Sequence, residues 1–223
     1  MPDFIIYIGN RVYSSWSLRG WLPLKQLGVP FEEVMIPLYD EGSKDAILRQ
    51  SPSGKVPALH HKGRMVWESL AIGEYLAEEF PAARLWPEEA GARALARAVS
   101  AEMHAGFANL RVELSMNLRR IIPGRRFSPD ALAQIARVQA IWRDCRARHG
   151  AGGPFLFGHF TIADAMYAPV VTRFRTYGIE LDPMCETYAE AIWELPAMIA
   201  WCEAAAKETI VIDKFEYEPG GSI

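Results

Sequence analysis

The chain has 223 residues, of which half are hydrophobic and 23% are charged, a composition typical of a soluble globular protein with a buried core. Its net charge of −3 gives no general attraction to nucleic acid or to an anionic membrane. The 3 cysteines are too far apart for a disulfide framework or a metal cluster, and no segment reaches the length of a membrane span. We therefore expect a cytoplasmic protein without a secretion signal, a membrane segment or a bound metal.

The first 81 residues predict a small mixed α/β unit with the order β α β α β β α. An apolar run at the start predicts a strand that is buried on both faces. The first β α β forms a parallel pair with a right-handed crossover. Strands are predicted at 4–8, 31–36, 58–61 and 64–67, and helices at 16–27, 43–50 and 70–80. Pro23 lies inside the first helix, where it should remove a hydrogen bond and bend the axis.

The segment 51–75 combines turn chemistry, two short strands and the start of a helix. A Val56-Pro57 bond that becomes cis would leave the Val56 backbone N–H and C=O open to a peptide-like ligand. Ser69 is the predicted N-cap of the following helix, whose free N–H groups and positive dipole end suit a carboxylate. The same residues are also compatible with a plain hairpin and a capped helix that bind nothing.

The second half of the chain predicts only helices. After a linker at 82–89, helices are expected at 90–122, 128–149, 161–177, 183–193 and 196–207. Ser128-Pro129 is a typical helix start, and Thr161 with Asp164 has the spacing of a capping box. The change of character places one domain at 1–81 and a second, all-helical domain at 88–212.

This order of elements resembles that of the cytosolic glutathione transferases. Four short motifs carry the resemblance: SSWSLR at 14–19, SPSGKVP at 51–57, ESLAI at 68–72 and TIAD at 161–164. The serine-rich first motif is most similar to the zeta class, which includes maleylacetoacetate isomerases and has Ser-Ser-Cys-Ser there. The resemblance implies a thioredoxin-like N-terminal domain, a helical C-terminal domain and glutathione as co-substrate.

The resemblance also implies roles in glutathione binding. Val56, before a cis Pro57, would pair with the backbone of the cysteinyl residue. Glu68 would meet the α-ammonium group of the γ-glutamyl residue, and Ser69 its α-carboxylate. Lys55 would reach the glycyl carboxylate, although a solvated surface lysine is the simpler interpretation.

The catalytic position of the family corresponds to Ser14. Its hydroxyl would donate a hydrogen bond to the glutathione thiolate rather than attack a substrate, since the chain has no G-x-S-x-G motif. Lowering a thiol pKa of about 8.5 by ~2 units would make the thiolate the main species at neutral pH. Ser15 and Ser17 are the alternative donors, and Ser15 is also a candidate glutathione ligand.

Trp16 stands where the zeta class has cysteine. This replacement disfavours disulfide exchange by the protein's own thiol, and it places a bulky indole where the second substrate would bind. The zeta class also places an arginine for an acidic substrate near the end of the helix that begins at Thr161. The aligned position here is Thr176, so Arg173 and Arg175 are the candidates, with a solvent-facing arginine as the alternative.

The resemblance therefore implies a homodimeric glutathione transferase that adds the thiolate to a small electrophile. Two alternatives remain open. One is a glutathione-dependent cis-trans isomerase of an unsaturated diacid, and the other is a non-catalytic binding module with the same fold. His60 and His61 are adjacent on a predicted strand, so they point to opposite faces and cannot share a metal.

Overall fold

A computed structural model describes residues 3–217 and contains one mixed four-stranded sheet. The strands are β1 (Phe4–Ile8), β2 (Phe31–Met35), β3 (Ala58–His61) and β4 (Arg64–Trp67), in the spatial order β2-β1-β3-β4. β1 pairs with β2 in parallel, whereas β1 with β3 and β3 with β4 are antiparallel. The central position of β1 explains its apolar sequence, because both of its edges are paired and helices cover the sheet.

Three helices accompany the sheet: α1 (Ser15–Gln26), α2 (Ser43–Leu48) and α3 (Ser69–Glu79). α1 continues past Pro23, which lies in its last turns. Ser69 is the first residue of α3, and the N-cap is Glu68, so the prediction that Ser69 caps this helix is wrong. The reason is the backbone of Glu68, whose φ of 72° turns the chain from β4 directly into α3.

The rest of the described chain is helical, as predicted. Its helices are α4 (Ala90–Ala105), α5 (Ala108–Glu113), α6 (Pro129–His149), α7 (Ile162–Tyr177), α8 (Pro183–Trp193) and α9 (Pro196–Ala206). Two short 3-10 turns lie at Pro81–Ala83 and Asp213–Phe215.

The single helix predicted at 90–122 is wrong, because the chain breaks after α4. Gly106 is extended and Phe107 has a φ of 61°, so the axis changes direction between α4 and α5. The Arg111 side chain stabilises the break by donating hydrogen bonds to the carbonyl oxygens of Met103, His104 and Gly106. These are carbonyls that a helix end leaves without partners. α4 ends with His104 and Ala105, which line a cleft together with residues of the sheet domain.

α7 is buried along nearly its whole length and packs against α1, α4 and α8. Its start is the predicted capping box, with Asp164 accepting hydrogen bonds from the N–H and the hydroxyl of Thr161. Asp164 also accepts from the N–H of Leu156. Burial raises the pKa of the Asp164 carboxyl to about 6, although these donors act in the opposite direction.

The division into domains at 1–81 and 88–212 stays a prediction. None of the helices between residues 3 and 217 has both the length and the apolar character that a membrane span requires.

Candidate functional site

A cleft of about 650 Å³ opens where the N-terminal ends of α1 and α3 face the C-terminal end of α4. Its volume lies within the range of about 300–1,000 Å³ that small-molecule sites occupy. Six residues that the sequence singles out line this cleft: Ser14, Trp16, Lys55, Val56, Pro57 and Glu68. Ser15, Ser69, Arg173 and Arg175 are not among its lining residues.

Ser14 is buried at the cleft and is the N-cap of α1. Its Oγ accepts a hydrogen bond from the backbone N–H of Ser17 at 3.3 Å and donates its own proton to Ser17 Oγ at 2.7 Å. Ser17 Oγ in turn accepts from the N–H of Gly9 at 2.9 Å. The positive end of the α1 dipole therefore lies at the cleft together with a chain of hydroxyl groups.

The Val56-Pro57 peptide bond is cis. Val56 precedes the paired part of its strand, since the first residue of β3 in the ladder is Ala58. Its backbone polar groups are thus outside the sheet and beside the cleft. Lys55 is exposed at the same wall, near enough to line the cleft.

Glu68 and Ser69 stand together at the N-terminal end of α3. The Glu68 side chain is half-exposed in the cleft. Ser69 is 1% exposed, and its Oγ has no hydrogen-bond partner among residues 3–217. A buried hydroxyl without a partner costs free energy, and a ligand carboxylate at this helix end would supply the missing acceptor.

His104, in the last turn of α4, is a residue of the helical half of the chain that lines the cleft. Its Nε2 is 3.5 Å from Glu68 Oε2, and its ring meets Trp16 edge-on at 5.2 Å between centroids. Burial lowers the His104 pKa, the positive charges of Arg19 and Arg111 act in the same direction, and Glu68 opposes them. The imidazole is therefore neutral at pH 7.

Trp16 lies against two guanidinium groups. The Arg19 and Arg111 carbons Cζ are 4.8 and 4.6 Å from the centre of its ring. Arg19 is 1% exposed and donates from Nε to the carbonyl oxygen of Met166, while its Nη1 and Nη2 have no partner among the described residues. Trp16 thus separates buried positive charge from the cleft that it lines.

Arg173 completes this buried cluster. It is 4% exposed, donates from Nη2 to Ser15 Oγ at 3.1 Å, and also donates to the carbonyl oxygens of Arg111 and Leu114. Burial, with the charge of Arg111 as a second cause, lowers the Arg173 pKa to about 9. Burial likewise lowers the pKa of Arg111 to about 10 and that of Arg19 well below its usual value.

We refer to Arg19, Arg111 and Arg173 as the arginine cluster. Within residues 3–217 no carboxylate forms an ion pair with any of the three. Burying cations without counterions is costly. Because their charge is not neutralised by a nearby carboxylate, the three guanidinium groups create a positive potential beside Ser15 and Trp16.

Arg175 lies elsewhere. Its guanidinium is over the ring of Trp193 in α8, with 4.5 Å between Cζ and the ring centre, and it lines a second cavity between α7 and α8. The structure therefore does not bring Arg175 to the cleft with Ser14. Successive positions on α7 point in different directions, which separates Arg175 from Arg173.

Several cleft residues have no clear signal in the sequence. Part of the cleft lining is formed by Leu38, Tyr39, Asp40, Ser43 and Lys44, around the start of α2. Arg19 and Arg111 appear in the sequence as ordinary helix residues, and only packing places them on Trp16. Among residues 3–217 no group of three or more His, Cys, Asp or Glu side chains is arranged to hold a metal ion.

Two family models match the chain, one on each side of the predicted linker. Residues 13–79 match the glutathione S-transferase N-terminal domain, and residues 90–204 match the glutathione S-transferase C-terminal domain. A probable maleylacetoacetate isomerase of Caenorhabditis elegans is 28% identical over 202 residues, which are 88% of this chain and 91% of that protein.

Solved structures are similar over most of the chain. A glutathione transferase homologue from Burkholderia with bound glutathione superposes with a TM-score of 0.72 at 23% identity, covering 92% of this chain and 100% of that one. The holo structure of a maleyl pyruvate isomerase, a bacterial zeta-class protein, has a TM-score of 0.71 at 24% identity, with coverage of 92% and 100%. At these identities the structures establish the shared fold.

Proposed function

Because the chain belongs to the glutathione S-transferase family, we propose that it binds glutathione through Val56, Glu68 and Ser69 and stabilises the thiolate with Ser14. The two family models confirm the resemblance seen in the sequence and the predicted fold, and membership of this family supports glutathione as co-substrate. The proposed reaction is addition of the thiolate to a small electrophile held between Trp16 and the helical domain.

One observation carries the assignment of the binding residues. Ser69 has a buried hydroxyl without a partner in the described chain, and it is adjacent to Glu68 in the cleft that Ser14 also lines. In a ligand that fits these residues, an amino group would meet Glu68, a carboxylate would meet Ser69, and a thiol further along would meet Ser14. Val56 supports the middle of the ligand through its backbone, and Lys55 the glycyl carboxylate.

Ser14 and the start of α1 supply the chemistry for thiol activation. A thiol with a pKa of about 8.5 is only a few per cent ionised at neutral pH. A hydroxyl donor and a helix N-terminus both favour the anion, and lowering the pKa by ~2 units requires about 2.7 kcal/mol of preference for the thiolate. Ser15 remains a second donor, since it accepts from Arg173 and keeps its own proton.

The arginine cluster favours an electrophile that carries a negative charge. The three guanidiniums lie behind Trp16 and Ser15 and lack counterions in the described chain. A carboxylate near Trp16 would gain from this potential, because screening is weak at a buried site. We assign Trp16 and Arg173 to binding of the second substrate, whereas the position of Arg175 does not support this role.

This charge also supports a second candidate function, the glutathione-dependent isomerisation of an unsaturated diacid. A relative of the chain is named a probable maleylacetoacetate isomerase. Trp16, in place of the zeta-class cysteine, opposes this function by filling space beside the thiolate. The test measures maleylacetoacetate turnover and chlorodinitrobenzene conjugation by the wild type and by Trp16→Cys. The first activity reports the isomerase function and the second the transferase function. Isomerase activity absent from both proteins would exclude this candidate.

Calorimetric titration with glutathione in two buffers of different ionisation enthalpy tests the main proposal. Proton release on binding reports ionisation of the thiol. We expect release from the wild type, its loss in Ser14→Ala, and no change in Ser100→Ala, which alters a buried serine of α4 bonded within its own helix. Binding without release in the wild type would contradict thiol activation and leave a non-catalytic binding protein.

Family membership also supports a homodimer located in the cytoplasm. Light scattering after size exclusion tests the assembly: a mass near 50 kDa is expected for two chains of 25.0 kDa each. Fractionation of cells that express the chain tests the location.

A further inference from the structure

Ser17 is completely buried beneath Ser14, and its hydroxyl has a defined place in the hydrogen-bond chain. The N–H of Gly9 donates to Ser17 Oγ at 2.9 Å, and Ser14 Oγ donates to the same oxygen at 2.7 Å. Ser17 Oγ therefore uses both of its acceptor positions. No acceptor for its own proton is found among residues 3–217.

This pattern conflicts with the role proposed for Ser14. A serine hydroxyl has a single proton, and here Ser14 directs it to Ser17. A thiolate at the cleft needs that same proton as a donor. If the Ser14 hydroxyl proton turns towards the sulfur, its hydrogen bond to Ser17 is lost. This loss of a buried hydrogen bond is avoided only if a different hydrogen bond joins the two serines.

The contact can be kept by reversing its direction. Ser17 has an unused proton, and Ser14 Oγ has two acceptor positions, of which the Ser17 N–H uses one. With a thiolate bound, Ser17 donates to Ser14 and Ser14 donates to sulfur. The chain then runs in one direction, from the N–H of Gly9 through Ser17 and Ser14, and each bond polarises the next.

We propose that Ser17 is the positioning residue that makes Ser14 a donor to the thiolate. This inference rests on the proposed function of Ser14 and extends it to a residue outside the cleft. No proton leaves either serine. The Ser17 side chain reorients together with the two hydroxyls, because without ligand only Ser14 is placed to donate across this contact. The proton lost by the thiol passes to solvent.

A purely structural role for Ser17 is the competing explanation. In that case its oxygen only satisfies the buried N–H of Gly9, and its removal would lower stability without any effect specific to sulfur. Ser17→Thr and Ser17→Val separate the two roles, because these side chains have nearly the same shape and differ in the hydroxyl. Ser17→Ala serves if the larger side chains prevent folding.

The experiment is a pH titration of enzyme-bound glutathione, followed by the ultraviolet absorbance of the thiolate. We expect Ser17→Thr to keep the wild-type thiol pKa and Ser17→Val to raise it by roughly 0.5–1 unit. In a Ser14→Ala background the change from Thr to Val at residue 17 should have no further effect, because the pair then acts as one unit.

The outcomes distinguish failure of the inference from failure of the proposed function. If glutathione bound to the wild type keeps the thiol pKa of free glutathione, the function proposed for Ser14 fails, and the role of Ser17 with it. If the wild type lowers this pKa but the Thr and Val variants are alike, the inference about Ser17 alone is overturned. The inference is also overturned if the change from Thr to Val at residue 17 raises the thiol pKa equally in the wild-type and Ser14→Ala backgrounds.

Discussion

Arg173, deep in the helical half of the chain, donates a hydrogen bond from Nη2 to Ser15 Oγ, with 3.1 Å between the two atoms. This contact joins α7 directly to the first residue of α1, so the charge of the arginine cluster reaches the residue next to Ser14. Arg175 on the same helix instead packs over Trp193. The two arginines therefore form a matched pair, one beside the cleft and one remote from it.

The first prediction concerns Arg173→Met, which keeps much of the length and removes the charge. We expect kcat/KM for an electrophile with a carboxylate to fall roughly tenfold or more, because the substitution removes one charge from the arginine cluster and so weakens its positive potential at the cleft. The value for neutral chlorodinitrobenzene should change much less. The measurement is steady-state kinetics with both electrophiles at fixed glutathione.

Arg175→Met is the control for this prediction and should leave both activities unchanged. An equal loss towards both electrophiles in Arg173→Met would show that the arginine maintains the structure at the start of α1 rather than attracting the charge of the substrate.

The second prediction uses the unpartnered hydroxyl of Ser69. Ser69→Ala should weaken glutathione binding roughly tenfold or more, since a hydrogen bond to the ligand carboxylate is lost. The free energy of unfolding of the unliganded protein should not fall, because Ser69 Oγ has no partner to lose within the described chain. Calorimetry and urea denaturation measure the two quantities.

Ser100→Ala is the matched control, since this buried serine donates to the carbonyl oxygen of Ala96 within α4. Glutathione affinity should not change in this variant. Unchanged affinity in Ser69→Ala as well would remove Ser69 from the binding site.

The third prediction is a pH dependence of glutathione binding through His104. Its pKa is lowered chiefly by burial and also by Arg19 and Arg111, with Glu68 opposing, so the ring becomes charged only in acid. The imidazolium then pairs with Glu68 and competes with the ammonium group of the ligand. We expect affinity for S-methylglutathione, which has no ionisable thiol, to fall several-fold from pH ~7 to pH ~5.

His104→Gln should flatten this profile without changing the affinity at neutral pH. Identical profiles for the wild type and the variant would assign the pH dependence to another group. The same shift makes neutral His104 a stabilising element that is lost as the pH falls below the ordinary histidine pKa of about 6.5.

The fourth prediction concerns stability through Asp164. Its pKa is raised from 3.8 to about 6, so the folded protein holds this proton more tightly than the unfolded chain does. The contribution of this group to the free energy of unfolding is therefore largest in acid and decreases as the pH rises through the interval from 3.8 to about 6.

Asp164→Asn does not titrate, so the stability of the wild type relative to this variant should decrease over the same interval, by on the order of 3 kcal/mol. Urea denaturation at several pH values measures the difference. A difference that grows with pH would show that the donors of the capping box outweigh burial in setting this pKa.

The sequence alone determined the fold and singled out six of the residues that line the cleft. Hydrophobic periodicity, turn residues and helix caps are local properties of the sequence. The strands, the Ser128 cap and the Thr161 capping box can therefore be predicted from the sequence alone. The order of the motifs also indicated the family, which the comparisons confirm. The roles of Ser14, Val56, Glu68 and Ser69 stay predictions.

Only the tertiary structure decided which side chains meet. The break between α4 and α5 is stabilised by the Arg111 guanidinium, which donates hydrogen bonds to carbonyl oxygens at the end of α4. The hydrophobic periodicity of the sequence does not predict this break. The approach of His104 to Glu68 likewise joins residues that are far apart in the sequence. The arginine cluster and the direction of the bond between Ser14 and Ser17 likewise arise from contacts between distant or buried groups. Such contacts follow from packing in three dimensions, which the spacing of residues along a chain does not specify.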